Sequence, residues 1–166
     1  KESGKITGKE YIVKTVVTSE ILKEMALASG VESIDTLTGF KFIAEKLRLN
    51  EGIKTFIGGG EESYGYLVGE HARDKDAVIS CAMIAEMTAY YKNEGSSLYE
   101  ALINLYLEFG YYKEKLISVT KQGKKGADEI KAMMDNFRKT EGYGFKGFSK
   151  LKTKFLAKSP PPMSPR

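Results

Sequence analysis

Apolar residues near the start of the chain follow two different spacings, one after the other. The run YIVKTVVT (residues 11–18) is rich in β-branched residues and almost continuously apolar, which predicts a strand buried on both faces of its sheet. The residues that follow are apolar at helical spacing from Ile21 and stop at Gly30, a common helix terminator. A buried strand followed directly by a helix is typical of a sheet covered by helices on both sides.

The same alternation continues along the chain. The segment VESIDTLTG predicts a short strand and a loop, and FKFIAEKLRLNEG predicts an amphipathic helix that ends at Gly52. IKTFIG then predicts a strand that runs into three consecutive glycines, and residues 64–69 are suited to another short strand. We therefore predict an α/β fold with a mixed, mostly parallel sheet of about four strands flanked by helices.

Two further helices are predicted before residue 111. Residues 76–91 form a long apolar helix, and SSLYEALINLYLEFG begins with a capping box, Ser97 and Glu100, and ends at Gly110. We expect the first of these helices to pack closely against the sheet through its small side chains. Those side chains belong to Ala77, Ser80, Cys81, Ala82, Ile84 and Ala85.

The pattern changes at Tyr111. YYKEKLISVTKQG alternates like a strand exposed on one face, and ADEIKAMMDNFRKT is an amphipathic helix. Residues beyond 141 are rich in Lys, Gly, Phe and Pro without a stable period. We therefore divide the chain into a domain at 1–110, a strand and helix at 111–140 that begin another domain, and an irregular, partly disordered tail at 141–166.

Composition and charge narrow the class of protein. The chain has 166 residues, 42% hydrophobic and 29% charged, which suits one or two small globular units, and its net charge of +4 is spread along the sequence. The single Cys81 lies in the apolar run AVISCAMIAEM, which favours a buried, reduced thiol. No stretch is long enough to span a bilayer, and residues 1–15 lack the apolar core of a signal peptide. We expect a cytoplasmic protein that binds neither nucleic acid nor membrane.

Common catalytic and cofactor motifs are absent from the sequence. GGGEESYG has neither the spacing of a phosphate-binding P-loop nor that of a dinucleotide fingerprint. One histidine, His71, and one cysteine cannot build the usual zinc sites or a Ser-His-Asp triad, so His71 is interpreted as an ordinary surface residue.

The acidic segment GEESYG is suited to binding hydroxyl groups. A carboxylate from Glu61 or Glu62 accepts several hydrogen bonds, and Ser63 can donate or accept, so the segment matches a pair of neighbouring sugar hydroxyls. Its spacing fits equally well an acidic surface turn whose only role is solubility.

Three segments together resemble the third domain of the α-D-phosphohexomutases. They are TLTGFKFI (residues 36–43), GEESYG (residues 60–65) and RDKDAV (residues 73–78). They match, in order, a Thr-x-Thr-Gly-aromatic-Lys segment, a Gly-Glu-x-Ser sugar-binding loop and a Lys-Asp segment that opens a long helix. The resemblance covers roughly residues 11–110 and implies a three-layer α/β/α domain; the Glu-Glu-Ser-Tyr-Gly form is similar to that of glucose-preferring phosphoglucomutases.

The resemblance implies roles for the acidic loop. Glu61 and Ser63 would bind sugar hydroxyls, and Gly60 and Gly65 would shape the loop. Glu62 lies at the family's variable position and is interpreted as a spacer.

It also implies contacts with the phosphate of a bound phosphosugar. Lys75, just before a helix, matches a phosphate-binding lysine and would be helped by the free amides of that helix. Thr38 and Gly39 match the loop that lines the cleft, with Lys41 as a further anion contact. Arg73 is the least specific member of the set, because a surface arginine beside aspartates usually forms a solvated ion pair.

The family moves a phosphoryl group between the 1- and 6-oxygens of a hexose through a bisphosphorylated intermediate. The phosphoserine loop, the metal loop and the distal phosphate clamp lie in its other domains, and we find none of them in this sequence. The resemblance thus implies a fragment of a phosphoglucomutase or phosphomannomutase that has no catalytic residue, metal ligand or activity of its own. Mg²⁺ and a hexose 1,6-bisphosphate activator are expected for the full-length enzyme, with a phosphosugar and the enzyme's other domains as partners.

Three alternatives remain open at this point. The chain could come from a phosphopentomutase-type member of the family. It could also be a non-catalytic α/β module that binds a sugar phosphate or a protein, or a purely structural α/β scaffold.

Overall fold

The structure, a computed structural model, describes residues 6–114 and 118–139. The chain divides into two compact units, at residues 1–114 and 115–166. The described part of the first unit contains, in chain order, β1 (Glu10–Thr15), α1 (Ile21–Ala28), β2 (Glu32–Thr36), α2 (Phe40–Asn50), β3 (Thr55–Glu61), β4 (Gly65–Val68), α3 (Ala77–Asn93) and α4 (Leu98–Phe109). The described part of the second unit contains α5 (Gly123–Lys139).

The four strands form one mixed sheet in the order β2-β1-β3-β4. β1 pairs in parallel with both β2 and β3, and β4 runs antiparallel to β3. The predicted α/β fold, with a mostly parallel sheet of about four strands flanked by helices, is therefore confirmed. β1 occupies an inner position, which explains why its sequence is almost continuously apolar.

The core of the first unit lies between one face of the sheet and α2. Apolar residues at positions 40, 43 and 47 form a single stripe on α2, as the helical period requires. The stripe packs against side chains from β1, β3 and β4, and every member of the cluster is at most 5% exposed. The cluster comprises Tyr11, Val13, Phe40, Ile43, Leu47, Phe56 and Leu67.

One charged side chain, Lys14 of β1, is as deeply buried as the core. Its side chain is 1% exposed, and its ammonium group lies 3.0 Å from carboxylate oxygens of Glu20 and Asp35. A buried cation is tolerated only with such partners, because burial removes its hydration. Lys14 thereby joins the end of β1 to the start of α1 and to β2.

The three consecutive glycines lie within β3 and not in a loop after it. A Cβ atom on Gly59 would lie 2.3 Å from the backbone oxygen of Val13, and one on Gly60 would lie 2.7 Å from the backbone oxygen of Gly65. Neighbouring backbone atoms leave no room for a side chain at either position. Glycine is used here for close approach between strands, a role that the sequence does not distinguish from loop flexibility.

The expectation that α3 packs its small residues against the sheet is wrong. All of α3 is described, and none of its 17 residues is buried. The helix is fixed to β4 at its start, where the amide of Asp76 donates to the backbone oxygen of Tyr66 at 2.8 Å. Cys81 is exposed, so the prediction of a buried thiol is also wrong. An apolar pattern predicts that α3 is a helix, but it does not specify a surface to cover it.

The start of α4 agrees with the predicted cap. The Ser97 hydroxyl oxygen accepts a hydrogen bond from the Glu100 amide at 3.2 Å, and the hydroxyl contacts the Glu100 carboxylate at 3.0 Å. This contact holds the pKa of the Glu100 carboxyl below its usual range.

The segment after α4 differs from the expectation. Residues 111–114 and 118–122 form no strand, because the alternating pattern there has no described neighbour with which to pair; 115–117 lie outside the described residues. α5 covers the predicted amphipathic helix, and the tail expected beyond 141 lies outside the described residues. No helix in the described ranges is both long and apolar enough to cross a membrane.

Candidate functional site

The parallel strands bring three loops to one edge of the sheet. β1, β2 and β3 run in the same direction, so their carboxyl ends, at Thr15, Thr36 and Glu61, lie at the same edge. Ligands of open α/β sheets bind at this edge. Two of the segments singled out in the sequence, residues 36–43 and 60–65, are thus brought together by the fold.

Glu61 connects these two segments directly. It is the last residue of β3, and its Oε1 accepts a hydrogen bond from the amide of Gly39 at 2.6 Å. Gly39 has a φ of +119°, which favours glycine, and it immediately precedes α2. The positive end of the α2 dipole therefore faces the Glu61 carboxylate. The bond fixes one carboxylate oxygen, and Oε2 has no hydrogen-bonding partner among the described residues.

Lys75 lies beside Glu61, with its stem against Gly65. A Cβ atom on Gly65 would lie 2.6 Å from Lys75 Cδ and 3.4 Å from Glu61 Oε2. The Lys75 ammonium group lies 5.0 Å from the centre of the Phe40 ring, within the range of a cation–π interaction. Gly65 thus leaves the space that the Lys75 stem occupies.

The side chain of Lys75 is half exposed, and its ammonium group has a carboxylate partner. This group lies 2.8 Å from Asp74 Oδ1, which also accepts a hydrogen bond from the Lys75 amide. This side-chain hydrogen bond from Lys75 is the main reason that the pKa of the Asp74 carboxyl lies below its usual range. The pair is exposed to solvent, so an incoming anion could replace Asp74 at low cost.

The backbone around Lys75 is fixed by the next residue. Asp76 Oδ1 caps α3 by accepting from the amides of Val78 and Ile79 at 2.9 and 3.0 Å. Asp76 Oδ2 lies 2.8 Å from His71 Nε2. The His71 hydrogen bond and the capping amides hold the pKa of the Asp76 carboxyl below its usual range. Lys75 therefore projects from a rigid turn at the start of a helix.

The tip of the acidic loop consists of residues 62–64, between β3 and β4. Ser63 is exposed there, and Tyr64 has a φ of +66°, which is unfavourable for a residue with a side chain. Gly60 has no space for a side chain, because the ring of Tyr66 occupies the position that a Cβ atom would take. Thr38 is half-buried next to Gly39.

Two other predicted site residues, Lys41 and Arg73, have contacts of their own. The ammonium group of Lys41 lies 4.9 Å from the centre of the Phe42 ring. Arg73 forms an ion pair with Glu51 at 3.1 Å and donates to the backbone oxygen of Glu70 at 2.8 Å. Glu51 follows α2 and Gly39 precedes it, so the Arg73 guanidinium group is paired at the opposite end of this helix from Gly39.

Glu62, interpreted from the sequence as a spacer, contacts two threonines at this edge that the sequence did not single out. Glu62 Oε2 lies 3.1 Å from the hydroxyl oxygens of both Thr15 and Thr18. Thr15 ends β1, and Thr18 lies in the loop that follows. The available signal was positional, because hydroxyl side chains at the carboxyl end of an inner parallel strand lie at the binding edge.

The arrangement places a carboxylate, a serine hydroxyl and an ammonium group along one rim. These groups can bind the hydroxyls and the negative charge of a polar ligand. Within residues 6–114 and 118–139, no group of three or more His, Cys, Asp or Glu side chains is placed to hold a metal ion.

Comparison with known proteins identifies relatives of the chain. A family model described as phosphoglucomutase/phosphomannomutase, alpha/beta/alpha domain III, matches residues 1–106. A phosphoglucomutase of Staphylococcus haemolyticus is 36% identical over 128 residues, which are 77% of this chain and 23% of that protein. A phosphoglucomutase of Staphylococcus saprophyticus is 32% identical over 145 residues, or 86% of this chain and 26% of that protein. The chain thus spans about a quarter of the length of the curated relatives it matches.

A solved structure supports the fold. The crystal structure of an assigned phosphomannomutase from Thermus thermophilus superposes with a TM-score of 0.53 at 24% sequence identity. The match covers 70% of this chain and 26% of that one. At this identity the likeness concerns the fold alone.

Proposed function

The chain belongs to the phosphoglucomutase/phosphomannomutase family, as its domain III, and we propose that it provides sugar recognition in a hexose phosphate mutase. The proposed enzyme interconverts hexose 1-phosphate and hexose 6-phosphate by intramolecular phosphoryl transfer. The observation that carries the proposal is the hydrogen bond from the Gly39 amide to Glu61, with Lys75 packed beside it on Gly65. Three segments distant in sequence thereby form one polar rim.

Glu61 and Ser63 are the proposed ligands of the sugar hydroxyls. Glu61 is oriented by Gly39 through Oε1, and its Oε2 can accept hydrogen bonds from neighbouring hydroxyls. A carboxylate accepts hydrogen bonds from several directions, so it suits a substrate whose ring must bind in two orientations during one catalytic cycle. Gly60 and Gly65 support this role by allowing the close packing around the loop.

Lys75 is the proposed ligand of the substrate phosphate. Its side chain is half exposed, and its ammonium group lies over Phe40 and is paired with the exposed carboxylate of Asp74. A phosphate group offers a stronger, multiply charged partner than a solvated carboxylate. Thr38 and Gly39 line the same side, with the Lys41 stem and the Phe42 ring next to Gly39, whereas Arg73 is paired with Glu51.

The proposal assigns the chemical step to the rest of such a mutase. A phosphoserine would donate the phosphoryl group and a clamp would hold the distal phosphate. Mg²⁺ would neutralise charge on the phosphoryl group as it is transferred. The partners of this domain are then the phosphosugar, with a hexose 1,6-bisphosphate as activator, and the other domains of the same enzyme.

The test replaces Glu61 and Lys75 in the intact mutase that carries this domain. Glu61→Gln keeps the size of the side chain and weakens its hydrogen bonds, and Lys75→Ala removes the phosphate contact. We expect each change to lower kcat/KM for glucose 1-phosphate about tenfold or more, since each removes a charge-assisted contact. Steady-state kinetics with glucose and mannose phosphates provide the measurement.

Two controls accompany these variants. Lys23→Ala removes an exposed lysine of α1 and is expected to leave kcat/KM unchanged. The 166-residue chain assayed alone is expected to show no interconversion. Unchanged kinetics in both Glu61→Gln and Lys75→Ala would refute the proposed sugar and phosphate contacts.

A further inference from the structure

One side chain, Glu62, joins the loop at the tip of β3 and β4 to the loop between β1 and α1. Its Oε2 lies 3.1 Å from Thr15 Oγ1 and 3.1 Å from Thr18 Oγ1, and these two hydroxyl oxygens are 2.8 Å apart. The contacts connect residues that are 47 and 44 positions apart in the chain. Glu62 directly precedes Ser63 and directly follows Glu61, the two proposed sugar ligands.

The hydroxyl protons of Thr15 and Thr18 favour a hydrogen-bond acceptor at position 62. Each threonine hydroxyl has one proton to donate, so two protons serve three short oxygen–oxygen contacts. An ionised Glu62 can accept from both hydroxyls, or from one while the other donates to its neighbour. A side chain with no acceptor would leave the buried Thr15 hydroxyl with Thr18 alone.

The β1–α1 side of the contact is a rigid support. The amide of Thr18 donates to the backbone oxygen of Thr15 at 3.0 Å, which closes a turn. The buried ammonium of Lys14 lies 3.4 Å from the backbone oxygen of Thr18 and 3.0 Å from Glu20. Because Lys14 is 1% exposed, this loop is fixed to the interior of the sheet. Thr15 and Thr18 therefore present their hydroxyls from a fixed position.

The β3–β4 side is less well held. The strand pairing ends at Glu61 and Gly65, and residues 62–64 form the exposed tip. Tyr64 has a left-handed backbone, which is unfavourable for a residue with a side chain. A strained conformation persists only where its surroundings fix it. The Glu62 side chain provides long-range hydrogen bonds at this tip.

We propose that Glu62 is a positioning residue, which tethers the sugar-binding loop to the rigid β1–α1 loop through Thr15 and Thr18. The inference rests on the proposed function in one respect, the role of Glu61 and Ser63 as sugar ligands. Glu62 acts through these neighbours and not by contact with the sugar. Without this contact the loop samples other conformations, and ordering it on binding lowers the affinity for the sugar.

The kinetic test uses two pairs of variants in the intact mutase. Glu62→Ala and Thr18→Val remove the acceptor and one donor, whereas Glu62→Gln and Thr18→Ser retain an acceptor and a hydroxyl. We expect Glu62→Ala to raise KM for glucose 1-phosphate about fivefold to tenfold with kcat little changed, because about one net hydrogen bond orders the loop before binding. The two conservative variants are expected to keep KM within about twofold of the parent.

A double-mutant cycle separates a tether from direct sugar contact. If Glu62 acts through Thr18, the variant carrying both Glu62→Ala and Thr18→Val has the KM of Glu62→Ala alone. Additive effects, or a Thr18→Val enzyme identical to the parent, would overturn the tether. Glu45→Ala, which removes an exposed glutamate from α2, is the matched control and is expected to leave KM unchanged.

A ligand-free measurement tests the tether independently of the proposed function. Backbone ¹⁵N order parameters of residues 62–64 in the 166-residue chain are expected to fall in Glu62→Ala and Thr18→Val and to be retained in Thr18→Ser. Order parameters that do not change in Glu62→Ala would overturn the inference. A parent enzyme that does not use sugar phosphates would instead overturn the proposed function, and the order parameters would still decide on the tether.

Discussion

The core between the sheet and α2 and the helix pair α3–α4 are both rich in apolar residues, yet they are buried to very different extents. Ile43 of α2 is 0% exposed, whereas Ile84 of α3 is 53% exposed. In α2 the apolar residues form one stripe, and the sheet of the same chain covers that stripe. In α3 apolar residues surround the helix, and the described residues of this chain bury none of them. The arrangement of apolar residues around a helix therefore matters more than their number for the burial of that helix in this chain.

The candidate site lies where these two regions meet. Gly39 and Glu61 belong to the sheet and the start of α2, and both are adjacent to the buried core. Lys75 belongs to the turn before α3, which is fixed at its first residues and open beyond them. The proposed sugar ligand thus lies next to the buried core, and the proposed phosphate ligand lies at the start of α3, which has no buried residue.

The strongest test of the comparison makes the same deletion in both regions. Ile43→Ala removes fully buried methyl groups and is expected to lower the free energy of unfolding by about 4 kcal/mol, through lost burial and a cavity. Ile84→Ala removes the same atoms from a half-exposed position and is expected to cost less than about 1 kcal/mol. Urea denaturation of the 166-residue chain, followed by circular dichroism, measures both values. Equal losses of unfolding free energy in the two variants would mean that α3 is covered in solution, and would contradict the difference in burial between α2 and α3.

A second test concerns the close contact between β1 and β3 that supports the buried region. Gly59→Ala would place a Cβ atom 2.3 Å from the backbone oxygen of Val13, so the two strands would have to separate. We expect a loss of about 3 kcal/mol in unfolding free energy, at the upper end of the usual cost of overpacking. The measurement is again a urea denaturation curve.

Gly58→Ala is the matched control in the same strand. Its Cβ atom would lie 3.3 Å from the backbone oxygen of Leu67, a contact that a shift of a few tenths of an ångström relieves. We therefore expect a cost below about 1 kcal/mol. A loss at position 58 as large as that at 59 would argue against strand separation as the cause.

The parts of the fold that the sequence predicted are those determined by local spacing. The helix stripes, the cap at Ser97 and the glycine after α4 act over a few residues, so they are visible in the sequence. The burial of α3 and of Cys81 was predicted wrongly because burial depends on a covering surface distant in sequence. The contacts of Glu62 were missed for the same reason, since its threonine partners are more than forty positions away.

The smallest expected effect concerns Asp76, whose side chain holds the start of α3 in the region that lacks burial. Its carboxylate accepts from the amides of Val78 and Ile79 and lies beside His71, which lowers its pKa below the usual 3.8. A lowered folded-state pKa means that the ionised carboxylate contributes stability in full above the usual value, and that this stability is lost as the pH falls through the lower one. Thermal unfolding of the 166-residue chain should therefore show a melting temperature a few degrees higher than that of Asp76→Asn at neutral pH, with the difference disappearing below the folded pKa.

Glu86→Gln, on the exposed surface of the same helix, should show no such pH-dependent difference. A constant difference between the parent and Asp76→Asn from neutral to acid pH would show that the charge of Asp76 does not stabilise α3.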